Sequence, residues 1–190
     1  ELFDRKLLFN FNVFYIDWSN IQIGAFTSTN LIYTANAAAA KSKGFELTTR
    51  VAATPEISIG ANAVYNDATL STSAPAAGGA KGDRLPLSAK WNVSATASWA
   101  HSIGSDRKVS ANATWRYVSN RDTDFALGNN FFHIRSYNAL DLSLGYDQDP
   151  WSVRMFARNV TNQSGYLRYF GTFATVLQPR TIGLSLDFSY

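Results

Sequence analysis

The sequence predicts an all-β chain whose strands cross a membrane as an antiparallel up-and-down β-barrel, and three observations predict it. Eight segments alternate apolar and polar residues with a period of two, at about the ten-residue length a tilted membrane strand needs. The connections between them run long, short, long, short, long, short, long, as in barrels with tight turns on one side and long loops on the other. Tyrosine and tryptophan sort to the strand ends, Tyr15, Tyr65, Trp91 and Tyr117 to one rim and Trp99, Tyr146, Trp151 and Tyr190 to the other. These form two aromatic girdles.

Each element follows from its own residues. In the first segment Leu7, Phe9, Phe11, Val13 and Tyr15 share a face and Asn10 and Asn12 take the other; a polar connection to about residue 43 follows. Phe45, Leu47 and Val51 then oppose Glu46, Thr48 and Arg50, and the tight turn 54–56 leads to Ile57, Ile59, Ala61, Ala63 and Tyr65. Residues 67–89 are rich in Ala, Gly, Ser and Pro and read as a flexible loop. The clearest alternation is Trp91, Val93, Ala95, Ala97 and Trp99 against Asn92, Ser94, Thr96 and Ser98. Trp91 and Trp99 would stand about 26 Å apart along a strand, which a tilt of about 40° reduces to about 20 Å, near the height of an apolar membrane band. A short connection at His101 leads to Val109, Ala111, Ala113, Trp115 and Tyr117, and a long loop spans about 119–136. Leu140, Leu142, Leu144 and Tyr146 turn at 147–150 into Trp151, Val153, Met155 and Ala157, and a last long connection, about 161–178, reaches the closing strand.

Composition excludes several function classes. The net charge is +3 with 16% charged residues and no cysteine. Basic residues are scattered singly rather than gathered on one face, which argues against a nucleic-acid partner. No run of 18 apolar residues exists, so no transmembrane helix is expected. His101 and His133 fall in connections without a neighbouring Ser, Asp or Glu pattern, so neither a catalytic triad nor a metal site is expected. The Asn-x-Ser/Thr triplets at Asn92, Asn112, Asn159 and Asn162 read as polar strand and loop residues rather than glycosylation sites. A soluble sandwich or lipocalin-like barrel also alternates, but its solvent face carries protective Lys and Glu. Here Ser, Asn, Thr and Gly fill that face, as on a wet, crowded lumen. A self-contained barrel with a structural or adhesive role is the other alternative, since eight strands can close; lumenal residues this small would leave it underpacked.

The last strand ends TIGLSLDFSY, with Ile182, Leu184, Leu186, Phe188 and Tyr190 on one face. Gly183, Leu184, Leu186, Phe188 and Tyr190 resemble the C-terminal assembly signal of outer-membrane barrels. The stretches FNVFYIDWSNIQI (11–23), NAAAAKSKGFELTTRV (36–51), GDRLPLSAKWNVSATASW (82–99), VRMFARNVTN (153–162) and QPRTIGLSLDFSY (178–190) occur in the order found in TonB-dependent outer-membrane receptors, and the chain resembles the C-terminal part of that barrel. The resemblance implies the last eight or so of about 22 strands around an N-terminal plug. It implies a bacterial outer-membrane location and uptake of a scarce nutrient such as a ferric siderophore, with no enzymatic activity and no cofactor. Its implied partners are the lipid bilayer, the rest of the barrel and its plug, TonB through an N-terminal region, and the barrel assembly machinery. Glu1 to Lys6 read as a turn entered midway rather than as an export leader, so residues 1–190 are expected to be a portion of a longer receptor.

Strand parity sends Arg50, Lys90, Arg116, Arg154 and Arg158 toward the lumen, against Glu46 and Asp141. Such an excess of positive charge fits either an anionic ligand or carboxylates of the plug. The long loops carry Phe125, Phe131, Phe132, Tyr166, Tyr169, Phe170 and Phe173, of which Tyr166, Tyr169 and Phe170 are the candidates for ligand capture.

Overall fold

The structure, a computed structural model, describes residues 6–26, 31–128, 131–170 and 173–189. Its strands are β1 (Leu7–Phe26), β2 (Ile32–Ala52), β3 (Ile57–Leu70), β4 (Trp91–Ile103), β5 (Arg107–Val118), β6 (Arg121–Asp122), β7 (His133–Ile134), β8 (Tyr137–Gln148), β9 (Trp151–Arg158), β10 (Tyr166–Phe170), β11 (Phe173–Val176) and β12 (Thr181–Phe188). Eight of them form one antiparallel sheet in the order β1-β2-β3-β4-β5-β8-β9-β12. The short pairs β6–β7 and β10–β11 lie inside long connections. Among the described residues β1 and β12 pair on one side only, so the sheet is open at both edges.

Register joins the apolar residues into one face. Val13 stands opposite Phe45, Phe45 opposite Tyr65, Tyr65 opposite Trp91, Ala95 opposite Trp115, Ala113 opposite Leu142, Leu144 opposite Met155 and Met155 opposite Leu184. Directly opposed residues share a face, so the alternation read strand by strand is continuous across the sheet. Among the described residues nothing packs against that face: Val13 is 73% exposed, Ile182 70% and Leu186 64%. An apolar surface of this extent is not stable in water and matches a lipid-facing wall. At its long-loop rim Phe45, Tyr65 and Trp91 pack together, Tyr65 and Trp91 with ring centres 4.9 Å apart. At the short-turn rim Trp151 packs on Phe188 at 4.7 Å, while Tyr190 lies outside the described residues.

The one buried apolar cluster among the described residues sits at the long-loop end. Ala38, Leu70, Ala74, Ala77 and Phe125 form it, with Ile21, Ile23 and Leu85 packed around it. Two expectations change here. The polar connection expected after residue 17 is mostly strand, because β1 and β2 run on as a hairpin to the pair Phe26–Ile32. An irregularity between Trp18 and Ile21, where Asn20 takes φ 56°, shifts the alternation, and the alanines of β2 have little strand preference of their own. Pairing with the neighbour, rather than propensity, makes this segment a strand. The Ala- and Gly-rich loop is likewise ordered. Leu70 N–H donates to the Asp83 carbonyl (2.8 Å), Leu85 N–H to Ala68 (3.0 Å) and Leu87 N–H to Asp122 (2.7 Å), around a 3₁₀ turn at Pro75–Ala77. Small residues let this segment approach Phe125 closely; a methyl group added at Gly79 would come within 2.7 Å of Leu70.

Candidate functional site

Two places gather polar and aromatic side chains: the face of the sheet opposite the apolar one, and the loops above β8 and β9.

On the polar face Arg116 and Asp141 form an ion pair at 2.7 Å, as their adjacent strands β5 and β8 allow. The other Asp141 oxygen accepts the Asn159 backbone N–H at 2.8 Å. Asn159 is 3% exposed and has φ 48°, a left-handed conformation that asparagine tolerates better than most residues. Its side chain donates to the carbonyls of Gln163 (2.9 Å) and Gln178 (2.8 Å) and accepts from Gln163 N–H (3.0 Å). Asn162 adds a bond from Arg180 N–H at 3.2 Å. The Asn-Val-Thr-Asn stretch therefore ties the end of β9 to the start of β12 and closes the base of the last long loop. Arg116, expected on the lumenal face against Glu46 and Asp141, is held by Asp141 within this arrangement.

Arg154 and Arg158 lie on the polar face. With Asn112, Thr114 and Asp141 they line a pocket of about 250 Å³ on the polar face, and the Arg158 guanidinium lies 5.2 Å above the Phe156 ring. Among the described residues neither forms an ion pair. Arg50 is exposed opposite Leu8 and Gly60, on the same face. Lys90 is different. It precedes the first residue of β4, so strand parity does not reach it, and its ammonium sits 3.4 Å from the Asp67 carboxylate. Asp67 pairs with Lys43 two positions beyond Tyr65, which places this ion pair at the outer rim of the apolar face rather than in the lumen.

In the loops Phe132 stacks on Tyr169 at 4.3 Å and meets Tyr166 edge-on at 5.4 Å; Tyr166 and Tyr169 are 5.8 Å apart. A cavity of about 650 Å³ opens beside this trio, lined by Phe132, His133, Arg135, Gln163, Gly165 and Tyr166. His133 Nδ1 lies 2.7 Å from an Asp122 carboxylate oxygen, which fixes the ring in the cavity wall. Of the three loop candidates, Tyr166 lines the cavity and Tyr169 supports it from behind; the Phe170 side chain lies outside the described residues. Sequence reasoning did not find Arg135 or Gln163, and placed His133 in a connection without assigning it a site. No periodicity reaches these positions, so no signal in the sequence marks them.

The short-turn side carries a different device. Glu56, in the turn before β3, accepts a bond from Trp99 Nε1 at 3.2 Å and lies 2.7 Å from His101 Nδ1. The rings of Trp99 and His101 are parallel with centres 6.1 Å apart. The hydrogen bond with His101, and next that from Trp99, hold the Glu56 carboxyl below the usual glutamate range. No group of three or more His, Cys, Asp or Glu residues suited to a metal ion occurs among the described residues.

Comparison with known proteins bears on what these surfaces serve. A family model described as TonB dependent receptor-like, beta-barrel matches residues 1–160. The fold is similar to that of the ferric yersiniabactin uptake receptor FyuA from Yersinia pestis, with a TM-score of 0.78 and 16% identity over 98% of this chain and 28% of that one. It is similar to the siderophore receptor PiuA from Acinetobacter baumannii, with a TM-score of 0.74 and 18% identity over 100% of this chain and 27% of that one. It is also similar to the copper transporter OprC, with a TM-score of 0.73 and 15% identity over 97% of this chain and 29% of that one. The chain thus spans little more than a quarter of the length of each. No curated protein matches it.

Proposed function

Because this chain belongs to the TonB-dependent receptor family, whose β-barrels lie in the bacterial outer membrane, we propose that it forms the C-terminal sector of the wall of a receptor that imports a scarce nutrient, a ferric siderophore or a similar chelate. The sheet supplies wall and lumenal lining, and the loops supply the first contact with the nutrient. In this reading the rest of the barrel and an N-terminal plug complete the molecule, TonB drives transport through the plug's N-terminal region, and the barrel assembly machinery inserts the protein.

The observation that carries the reading is the cavity of about 650 Å³ at the loop mouth, where Phe132 and Tyr166 offer apolar ring faces beside Arg135. A flat ligand of low charge density gains from ring stacking, and a guanidinium beside the rings favours an anionic one. The structural neighbours FyuA and PiuA are named for ferric yersiniabactin and a siderophore, OprC for copper. The wall is common to these proteins, so the choice of nutrient rests on the loops. We assign Arg50, Arg154 and Arg158, which line the polar face, to carboxylates of the plug.

Uptake of iron-55 carried by a panel of siderophores, into cells bearing the complete receptor, tests the proposal. Uptake of one of them should vanish in cells lacking TonB, and Tyr166→Ala should weaken half-saturation about tenfold, the loss of roughly 1.4 kcal/mol. Uptake independent of TonB, or an unchanged half-saturation in Tyr166→Ala, contradicts it.

A further inference from the structure

Arg121 is the buried cation of the loop region. It starts β6, is 7% exposed, and stands opposite Ile134, which is fully buried. Its Nη2 donates to the Leu167 carbonyl of β10 at 2.6 Å, whereas Nη1 is buried and meets no protein acceptor. Among the described residues it has no carboxylate partner. Asp122 beside it is engaged by His133 at 2.7 Å, and Asp124 accepts the Phe125 N–H at 2.8 Å. A guanidinium does not lose its proton in a protein, so this charge persists, and a neutral carbonyl compensates it poorly. Arg121 does not itself line the cavity, but its neighbours adjoin the cavity wall. Leu167 follows Tyr166, which lines the cavity, and the residue that follows Arg121 pairs with His133, which also lines it.

We propose that Arg121 is an anion-receiving latch: it docks the β10–β11 hairpin through the Leu167 carbonyl and exchanges that carbonyl for a carboxylate of an anionic ligand entering the cavity. A carboxylate offers two oxygens to the guanidinium fork, so it engages the Nη1 that the carbonyl leaves unmet. Exchange frees the Leu167 carbonyl and with it the Phe132 stack that the hairpin supports through Tyr166 and Tyr169. The ligand's charge is thereby coupled to the position of the loop that contacts it. Arg121 acts as a specificity-determining residue that favours carboxylate-bearing ligands over neutral ones of the same shape. The inference rests on the loop-mouth site described above.

The test measures amide hydrogen exchange of residues 166–176 in the complete receptor, in sodium citrate and in sodium chloride at equal ionic strength. Citrate should speed exchange of the hairpin amides at least about fivefold, the lower range of a coupling between sites, and chloride should not. In Arg121→Met the hairpin should exchange fast in both salts, and in Arg121→Lys, which offers a point charge in place of the fork, the citrate response should shrink. Heat-modifiable migration on denaturing gels reports whether each barrel is assembled; if Arg121→Met does not assemble, Arg121→Lys carries the comparison. A hairpin indifferent to citrate in the unsubstituted protein, as a water-satisfied guanidinium would give, overturns the proposal. So does a citrate response that persists undiminished in both variants, since the anion then acts elsewhere. A citrate response without siderophore uptake would instead remove the nutrient reading and leave the latch standing.

Discussion

Asn159 and Glu56 show two ways in which one side chain joins strands that are far apart in sequence. Asn159 does it by burial and saturation, because its short amide replaces three backbone partners that the turn after β9 would leave unmet. Glu56 does it at the surface, by gathering Trp99 and His101 across the short turns. The Glu56 carboxyl is held below its ordinary range by His101 first and Trp99 second. Since its folded pKa is lowered, the contribution is present above the unfolded glutamate value of about 4.3 and is lost as pH falls through the folded value. A carboxyl titration followed by NMR should show a Glu56 midpoint below that of an ordinary glutamate, and His101→Gln should raise it. An unchanged midpoint in His101→Gln would show that the histidine is not the cause.

At the scale of elements, β12 depends on what covers its polar face. Gly183 stands opposite Phe156 of β9, and an added methyl group there would collide with the Phe156 ring. The ring fills the place a side chain would take and is itself covered by the Arg158 guanidinium. Gly183→Val should therefore slow barrel assembly and lower the stability of the assembled protein, measured by urea unfolding, by about 1–3 kcal/mol. Phe156→Ala should recover part of that loss when combined with it, a non-additivity that a double-mutant cycle measures. Additive losses would mean that the ring and the glycine do not share space. The sequence marks Gly183 only through a resemblance to a terminal signal; its contact with Phe156 could not be read there, because Phe156 lies 27 residues away and only the register brings it close. The same holds more widely. Strands β4, β5, β8 and β9 could be read from alternation because one face meets an apolar surrounding and the other a wet one, a contrast written at every second residue. The β1–β2 extension escaped such reading, since its alternation breaks near Asn20 and alanine carries little contrast. Loop residues such as Arg121 and Arg135 escaped it entirely: their positions follow from long-range contacts with no local period. Lys90 shows the limit of the rule, for parity ends where the strand does.

For the whole molecule the open edges of β1 and β12 decide the architecture. Both carry a row of backbone donors and acceptors that hydrocarbon cannot satisfy, so in a bilayer both edges must be paired, and we propose that further strands of the receptor pair them. The matched receptors are more than three times as long as this chain, which leaves room for those strands. The family assignment and the apolar face agree on a lipid-facing wall. Single cysteines placed along β4 and β12 of the assembled receptor in intact cells test it most directly, and the absence of cysteine from this chain leaves those positions free of native thiols. Cysteines at Ser94, Ser98, Ser185 and Asp187 should react with a water-soluble thiol reagent, and those at Ala95, Ala97, Leu184 and Leu186 should resist it while a lipid-dissolved quencher reaches a label there. Alternation of this kind along both strands is the predicted result; uniform reactivity, or the opposite parity, would contradict it.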